Sequence, residues 1–217
     1  MLTVKEVYEA IDAFAPFASQ ESWDNSGLLV GGMAQPADRI LTTLDISEAI
    51  VAQAVAEQVQ LVVAHHPVIF SPLKTLPPDS PVYQLAAHGI AAICVHTPLD
   101  MAPLGLNTFA HTLLEKPLAL QGTQEVLEPS WTDGRGFGWI DTSARTWAPQ
   151  TLAQTLQTAF GEVRYSAAER SIRKIAYCSG SAASMLELAA AKGCDALITG
   201  DIKHDRFFAG EFSGIDL

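Results

Sequence analysis

Residues 39–66 read RILTTLDISEAIVAQAVAEQVQLVVAHH, and this stretch decides the fold class of the 217-residue chain. RILTTLDIS (39–47) predicts a strand, SEAIVAQAVAEQ (47–58) predicts a helix with Ser47 as its N-cap, and QLVVAHH (60–66) predicts a second strand. A short, continuous apolar run is typical of a parallel strand that is buried on both faces. Strand, helix and strand in this order indicate a right-handed parallel crossover and therefore an α/β protein.

The same alternation continues through the rest of the chain. Helical spacing predicts helices over 4–15, 81–89, 104–114, 148–161 and 181–193, and apolar runs predict strands over 90–96, 136–143, 171–181 and 194–201. The segment 115–135 is rich in Glu, Pro, Gln and Gly and lacks apolar periodicity, so we place the lobe boundary there. The prediction is an α/β protein with two similar lobes, 1–120 and 121–217, each a mostly parallel or mixed sheet flanked by helices.

Composition narrows the classes of function. The chain is 48% hydrophobic and 17% charged, which is typical of a globular protein and not of a disordered one. Its 13 Lys and Arg residues against 24 Asp and Glu residues give a formal net charge of −11, which argues against binding to nucleic acid or to an anionic membrane. No apolar run approaches the ~18 residues of a membrane span, and the start lacks a signal-peptide pattern, so we expect a cytoplasmic protein.

The three cysteines are Cys94, Cys178 and Cys194, an odd number without a C-x-x-C pair. Each lies in or beside an apolar run, so we predict reduced, buried thiols in a cytosolic protein. A cysteine nucleophile is the alternative interpretation.

Imidazole and carboxylate groups follow four of the predicted strands. In chain order these groups are Asp45, His65-His66, His96 with Asp100, and Asp201. In open α/β sheets, ligands gather beyond the carboxyl ends of the strands. The convergence of these groups therefore predicts a ligand or metal site.

The pair His65-His66 is the strongest chemical signal. Successive side chains on an extended backbone point apart, and Pro67 favours an extended His66, so the two imidazoles could serve two metal ions, or one ion and one substrate group. In the alternative interpretation both only hydrogen-bond the following loop. Imidazole suits Zn, Fe, Ni or Cu, and carboxylate adds tolerance for Mn or Mg.

The remaining groups have more than one interpretation. Asp100 could bind or bridge metal, and His96 could be a ligand, an orienting group or a general base. For Asp45, a capping role before the 47–58 helix is favoured over a catalytic role. We expect His88 and His111, inside predicted helices, to be surface or packing residues.

Two glycine-rich turns are also candidates for ligand contact. In DGRGFG (133–138) the backbone could approach a ligand while Arg135 holds a phosphate or carboxylate, and the alternative is a flexible hairpin turn. In SGS (179–181) the amides could bind an anion at a helix N-terminus, and the alternative is simple helix capping. Neither turn fits a dinucleotide or P-loop pattern.

Seven segments in order resemble a known family: WDNSGLLVG (23–31), TLD (43–45), LVVAHHPVIFSPLK (61–74), HTPLD with the following GLN (96–107), GRGFG (134–138), CSGS (178–181) and LITGD (197–201). The sequence resembles the NGG-one interacting factor three-like family of dinuclear metal centre proteins. Members of that family are also described as homologues of a type-two GTP cyclohydrolase.

The resemblance implies a metal site in the cleft between two similar lobes, with up to two divalent ions per subunit (Zn, Fe, Mn, Ni or Mg). It also implies a homohexamer built as a trimer of dimers. Carried over residue by residue, the metal ligands fall on His65, His66 and Asp100. The family's second lobe supplies a His and a Glu from a C-terminal Gly-His-x-x-x-Glu segment, which has no match here, where its strand would lie around 214–217. Candidates to compensate are His204, Asp201 and Glu211.

We therefore expect a divalent-metal-binding protein that acts as a dinuclear-metal-dependent hydrolase. The resemblance implies cyclohydrolase-like chemistry on a nucleotide or a phosphorylated small molecule. The alternative is a non-enzymatic metal-binding ring that acts as a protein-interaction or regulatory scaffold and has an incomplete site. No residue is singled out as catalytic, and nothing in the sequence selects the substrate.

Overall fold

The computed structural model describes residues 1–131, 133–166, 170–203 and 206. The chain divides into two compact units, Met1–Ala102 and Pro103–Leu217. The described part of each unit contains a four-stranded mixed sheet with flanking helices, which confirms the predicted mixed α/β fold class.

The first unit is built around a sheet with strand order β1-β4-β3-β2. Strands β2, β3 and β4 are parallel, and β1 pairs antiparallel with β4. Its elements in chain order are α1 (Val4–Phe14), β1 (Gly27–Val30), β2 (Ile40–Thr43), α2 (Glu48–Ala56), β3 (Leu61–Ala64), α3 (Pro81–Ala87), β4 (Ala91–Cys94) and α4 (Thr97–Met101), with a short 3₁₀ turn at Phe17–Ser19.

Local sequence explains how the central crossover forms. Helix α2 begins after Ser47, whose side chain accepts a hydrogen bond from the backbone N–H of Ile50, so the predicted N-cap is confirmed. Every residue of β4 is buried, as are Leu61 and Val62 of β3, because helices cover both faces of the parallel strands. The apolar runs around 60–66 and 90–96 are therefore parallel strands, as predicted.

The second unit has strand order β5-β6-β7-β8. Its elements in chain order are α5 (Leu106–Glu115), β5 (Glu125–Pro129), β6 (Gly136–Trp147), α6 (Pro149–Phe160), β7 (Ile172–Cys178), α7 (Leu186–Ala191) and β8 (Ala196–Thr199), with a 3₁₀ turn at Ala183–Met185 before α7. Helix α5 packs against β6, so the division between units follows Ala102, earlier than the boundary at 120–121 placed from sequence.

One predicted crossover has the wrong direction. Strand β7 pairs antiparallel with β6, as the partners Trp139–Tyr177 and Trp147–Ile172 show. A helix between two strands makes them parallel only when both connections are short. The connection 161–171 after α6 is long enough for the chain to cross back and enter β7 in the opposite direction. Only β7 and β8 are parallel in this sheet of the described residues.

The glycines of GRGFG serve strand pairing. A Cβ at Gly136 would lie 1.9 Å from the carbonyl oxygen of Glu128, and Gly138 has φ +66° with its Cβ position 2.3 Å from the carbonyl oxygen of Tyr177. Arg135 contacts Asp133 (Nη2···Oδ2 2.7 Å) in the turn between β5 and β6. The hairpin interpretation of this motif is therefore confirmed.

Buried polar residues of the second unit have structural partners. His111 is buried, and its Nε2 lies 2.9 Å from Oδ2 of the buried Asp141, which also accepts from the backbone N–H of Gly122 (3.0 Å) and the hydroxyl of Thr123 (3.0 Å). His111 is thus a packing residue, as expected, whereas His88 is an exposed helix C-cap.

The turn Ser179-Gly180-Ser181 does not cap the following helix, so the helix-capping interpretation of this motif is wrong. The carbonyl of Gly180 accepts from the backbone N–H groups of Gly200 (2.9 Å) and Asp201 (3.1 Å), while the N–H of Ser179 donates to Asn107. No side-chain cap is present at the 3₁₀ turn that precedes α7. This turn therefore joins two strand ends within the sheet.

The three cysteines are free and buried, as predicted. Among the residues that the structure describes, no helix has the length and apolar character that a membrane crossing requires.

Candidate metal centre

The carboxyl ends of β2, β3 and β4 lie at one edge of the first sheet because these strands are parallel. The segments that follow extend the ladder: the backbone N–H of His66 donates to the carbonyl of Leu44 (2.9 Å), and that of Val95 donates to the carbonyl of Ala64 (2.9 Å). The sheet therefore collects at a single edge the side chains that follow three of the four strand ends singled out from sequence, while the fourth, Asp201, belongs to the second unit.

Three imidazoles form a cluster at this edge. His65, His66 and His96 are partly buried, and one potential ligand atom from each lies within 4.8 Å of the others. The ring centroid of His65 lies 5.0 Å from that of His66 and 5.2 Å from that of His96. Ligands of one tetrahedral zinc ion lie about 3.3–3.4 Å apart, since each zinc–nitrogen distance is about 2.0–2.1 Å, so the three rings would have to move closer together to share one ion.

Each of the three rings is oriented through its Nδ1 atom. The Nδ1 contacts are His65 to the carbonyl of Val95 (3.0 Å), His66 to Asp45 Oδ1 (2.7 Å) and His96 to Asp24 Oδ1 (2.8 Å). Carbonyl and carboxylate oxygens only accept hydrogen bonds, so each Nδ1 carries a hydrogen and donates it. In a neutral ring the lone pair is then on Nε2, which is the atom available to a metal ion.

Asp100 lies beside His65. It sits in the first turn of α4, and its Oδ2 is 3.8 Å from His65 Nε2, slightly longer than the separation of about 3.3–3.6 Å between two ligands of one tetrahedral ion. The side chains of His65 and Asp100 are 15% and 13% exposed, whereas that of His66 is 46% exposed. The structure thus places the three predicted ligands on adjoining segments, and their binding of metal stays a prediction.

Asp24 supports the candidate site, and nothing in its local sequence marks it out. Its side chain is fully buried: Oδ1 accepts from His96 Nδ1 and from the N–H of Asn25 (2.7 Å), and Oδ2 accepts from the N–H of Thr97 (3.1 Å) and the hydroxyl of Ser26 (2.9 Å). Burial raises the pKa of Asp24, but these hydrogen bonds outweigh burial and hold the pKa well below its usual range. The ionised carboxylate therefore fixes the ring of His96.

The imidazoles differ in their electrostatics. Burial lowers the pKa of His65, against the opposing effect of Asp100, and the neighbouring rings of His96 and His66 lower it further. The hydrogen bond to Asp24 raises the pKa of His96. A neutral His65 is the form that binds a metal ion.

The interpretation of Asp45 as a helix cap is wrong. Ser47 caps α2, and the Asp45 carboxylate lies against His66 instead. Ser47 is two residues closer to the helix than Asp45. Its hydroxyl can therefore reach the backbone N–H groups of the first turn, which have no partner within the helix. Asp45 therefore orients a candidate ligand, as Asp24 does for His96.

A cavity of about 310 Å³ opens beside His66 and Asp45. Its other walls come from the proline-rich segment after β3, which includes Leu73 and Leu76, and from Val82 of α3. The volume is at the small end of the range for small-molecule sites. The cavity gives a small ligand access to the exposed side of the histidine cluster.

The candidates from the second lobe belong to the second unit. Asp201 is exposed, and its backbone N–H donates to Gly180. His204, Glu211 and the segment 214–217 lie outside the described residues. The described donor set of three imidazoles and one carboxylate fits Zn, Fe or Ni, with Mn and Mg tolerated through the carboxylate.

Comparisons with known proteins agree with the motifs. The family profile described as Duf34/NIF3 (NGG1p interacting factor 3) matches residues 2–217. The chain is 33% identical over 223 residues to a Helicobacter pylori protein named GTP cyclohydrolase 1 type 2, covering 100% of this chain and 84% of the relative. It is 33% identical over 217 residues to a Streptococcus pneumoniae GTP cyclohydrolase 1 type 2 homolog, covering 93% of this chain and 77% of the relative.

Solved structures share the fold. A Bacillus cereus protein related to NIF3 superposes with a TM-score of 0.86 at 18% identity, covering 100% of this chain and 87% of the other. A Staphylococcus aureus hypothetical protein superposes with a TM-score of 0.85 at 23% identity, covering 99% and 84%. The family inferred from the motifs is confirmed: the chain belongs to the Duf34/NIF3 (NGG1p interacting factor 3) family.

Proposed function

We propose that this chain binds divalent metal ions at the histidine cluster and hydrolyses a nucleotide or a phosphorylated small molecule. The observation that carries the proposal is the common orientation of His65, His66 and His96, whose Nδ1 atoms are each engaged by an acceptor-only oxygen. Such outer hydrogen bonds are what metal-binding histidines characteristically make. The proposed ligands are His65, His66 and Asp100, with His96 as a further candidate.

The chain's own groups would position the reactants. Asp24 and Asp45 hold the rings of His96 and His66, and they do so through carboxylates that are already in place in the folded protein. The cavity beside His66 would admit the substrate. When bound, divalent ions would acidify water to give a nucleophile near neutral pH and would polarise the group under attack.

The names of relatives support a purine nucleotide as the first substrate to test. The H. pylori and S. pneumoniae relatives are named GTP cyclohydrolase 1 type 2 or its homolog, so GTP is the initial probe. Binding of up to two ions per subunit and assembly as a homohexamer of three dimers complete the proposal. Light scattering of the purified protein measures the number of subunits.

Metal content tests the ligands directly. After dialysis against Mn²⁺, Zn²⁺ or Fe²⁺, elemental analysis should give at least one ion per wild-type chain. His65→Ala and His66→Ala should lower that content strongly, while His88→Ala, at an exposed helix cap, should not change it. Unchanged metal content in both cluster variants would show that the ligand assignment is wrong.

Turnover tests the chemistry. GTP hydrolysis or ring opening, followed by chromatography, should require added metal and should be lost in His65→Ala but not in His88→Ala. Stoichiometric metal with no turnover of any purine nucleotide would instead favour the non-enzymatic scaffold. Substoichiometric metal together with no turnover would refute the hydrolase proposal for this chain.

A further inference from the structure

Two large aromatic rings are exposed beside the histidine cluster. Trp23 is 57% exposed and Phe70 is 54% exposed. Their ring centroids are 6.3 Å apart with the planes tilted by 45°, so the rings do not stack on one another. Exposed aromatic surface in a folded protein is favourable to bury, and it commonly marks a place where a ligand or partner binds.

The backbone under both rings is held in place. Trp23 directly precedes Asp24, whose buried carboxylate is fixed by Ser26 and Thr97. The side chain of Asn25 donates to the carbonyl of Ile69 (2.5 Å), the residue before Phe70. One hydrogen-bonded network therefore anchors the backbone under the two rings. Little conformational entropy of this backbone would then be lost when a ligand binds.

The same rings adjoin the candidate metal centre. The Trp23 and His96 rings form a T-shaped pair with a centroid distance of 5.9 Å and an interplanar angle of 76°. His96 in turn lies 5.2 Å from His65 and 5.7 Å from His66, measured between ring centroids. A planar group stacked on Trp23 would therefore lie beside the cluster.

We propose that Trp23 and Phe70 form a stacking platform for the purine base of the substrate. The inference rests on the proposed function, since it assigns the base-binding part of the same site. A flat bicyclic ring can lie on the indole face with an edge toward Phe70, and it then points its remaining atoms toward the imidazoles. Every nucleobase has a π face, so an aromatic platform binds the base without requiring hydrogen bonds to it.

Calorimetry with three probes separates the base from the rest of the substrate. Guanosine carries the base without phosphate, ribose 5-phosphate carries phosphate without the base, and GTP carries both. Each is titrated into wild type, Trp23→Ala, Trp23→Phe, Phe70→Ala and Phe14→Ala, with and without chelator. Phe14 is the matched control, because it is 41% exposed at the end of α1, an exposed phenylalanine of the same unit.

Trp23→Ala should weaken binding of guanosine and GTP by about 5- to 150-fold, the range for loss of one stacking partner. Phe70→Ala should weaken both by a smaller factor, and Trp23→Phe should restore most of the affinity. Binding of ribose 5-phosphate and the metal content should not change in these variants, which also shows that they are folded. Phe14→Ala should match wild type with every probe.

Several results would overturn the proposal. These are equal guanosine affinity in Trp23→Ala and wild type, no binding of guanosine to wild type at millimolar concentration, or an equal loss for ribose 5-phosphate. Tighter binding of tetramethylammonium than of guanosine would assign the rings to a cation instead. A changed number of subunits in Trp23→Ala with unchanged guanosine affinity would assign them to a protein interface. Guanosine binding in chelator does not depend on metal, so failure of the metal proposal is distinguished from failure of this one.

Discussion

Replacing Asp24 with asparagine tests the support beneath the histidine cluster. Each carboxylate oxygen accepts from a backbone N–H: Oδ1 from Asn25 and Oδ2 from Thr97. Whichever way the new amide is turned, its NH₂ group faces one of these N–H groups, so a buried donor loses its acceptor. That loss costs about 1–3 kcal/mol. For a chain of this size it corresponds to a fall in Tm of about 2–12 °C.

If the further candidate His96 is a ligand, the same substitution should weaken metal binding by about 10- to 100-fold, because the carboxylate that orients His96 is replaced by a neutral amide. Thermal denaturation monitored by circular dichroism and titration with Zn²⁺ against a competing chelator measure the two effects. Asp38→Asn is the control, since the exposed Asp38 accepts one backbone N–H from Leu2 and an amide oxygen can replace it. If Asp24→Asn melted with wild type and kept its zinc affinity, the supporting role of Asp24 would be refuted.

Three further predictions concern stability. Burial raises the pKa of Asp141, but its hydrogen bonds outweigh burial and lower this pKa below the usual value. The stability contributed by the ionised carboxylate is therefore present above about pH 4 and is lost as pH falls through the lowered pKa. Urea denaturation should therefore show Asp141→Asn clearly less stable than wild type at pH 7 and closer to it at pH 3; a constant difference would contradict this. Ile93→Ala should cost about 2–5 kcal/mol, because Ile93 is fully buried in β4, whereas Ile40→Ala at a 38% exposed position should cost under about 1 kcal/mol. Gly138→Ala should destabilise far more than Gly134→Ala, since both have positive φ but only Gly138 has a backbone atom against its Cβ position; equal melting temperatures would refute the close-approach argument.

The sequence predicted most elements of the fold because their patterns are local. The buried runs of β3 and β4 and the Ser47 cap depend on neighbouring residues alone. Three of the described strands and α-helices were not predicted: β1, β5 and the short helix α4 (Thr97–Met101). Strand β1 (Gly27–Val30) has only four residues, too few to show a period, and β5 (Glu125–Pro129) has a single fully buried residue, Leu127, with the charged Glu125 and Glu128 in the same strand.

The sequence pointed to the candidate ligands but not to Asp24, the buried carboxylate that orients His96. His65 and His66 could be found because they directly follow an apolar strand. Asp24 has its partners 72 and 73 residues away, in a segment that only the folded sheet brings near. The one available signal was an acidic residue inside WDNSG (23–27), and nothing local distinguishes it from a surface carboxylate.

The thiol at the end of β4 has a consequence for the chemistry of this edge. Cys94 lies two residues before His96, and its Sγ donates to the carbonyl of His65 (3.0 Å). Burial raises the pKa of the Cys94 thiol to about 12, so the sulfur stays protonated at physiological pH. A protonated, buried sulfur is a poor nucleophile toward peroxide and a poor partner for soft ions such as Cu⁺. The Cys94 sulfur therefore does not compete with the imidazole and carboxylate groups of the cluster for a metal ion, and it resists oxidation although it lies close to them.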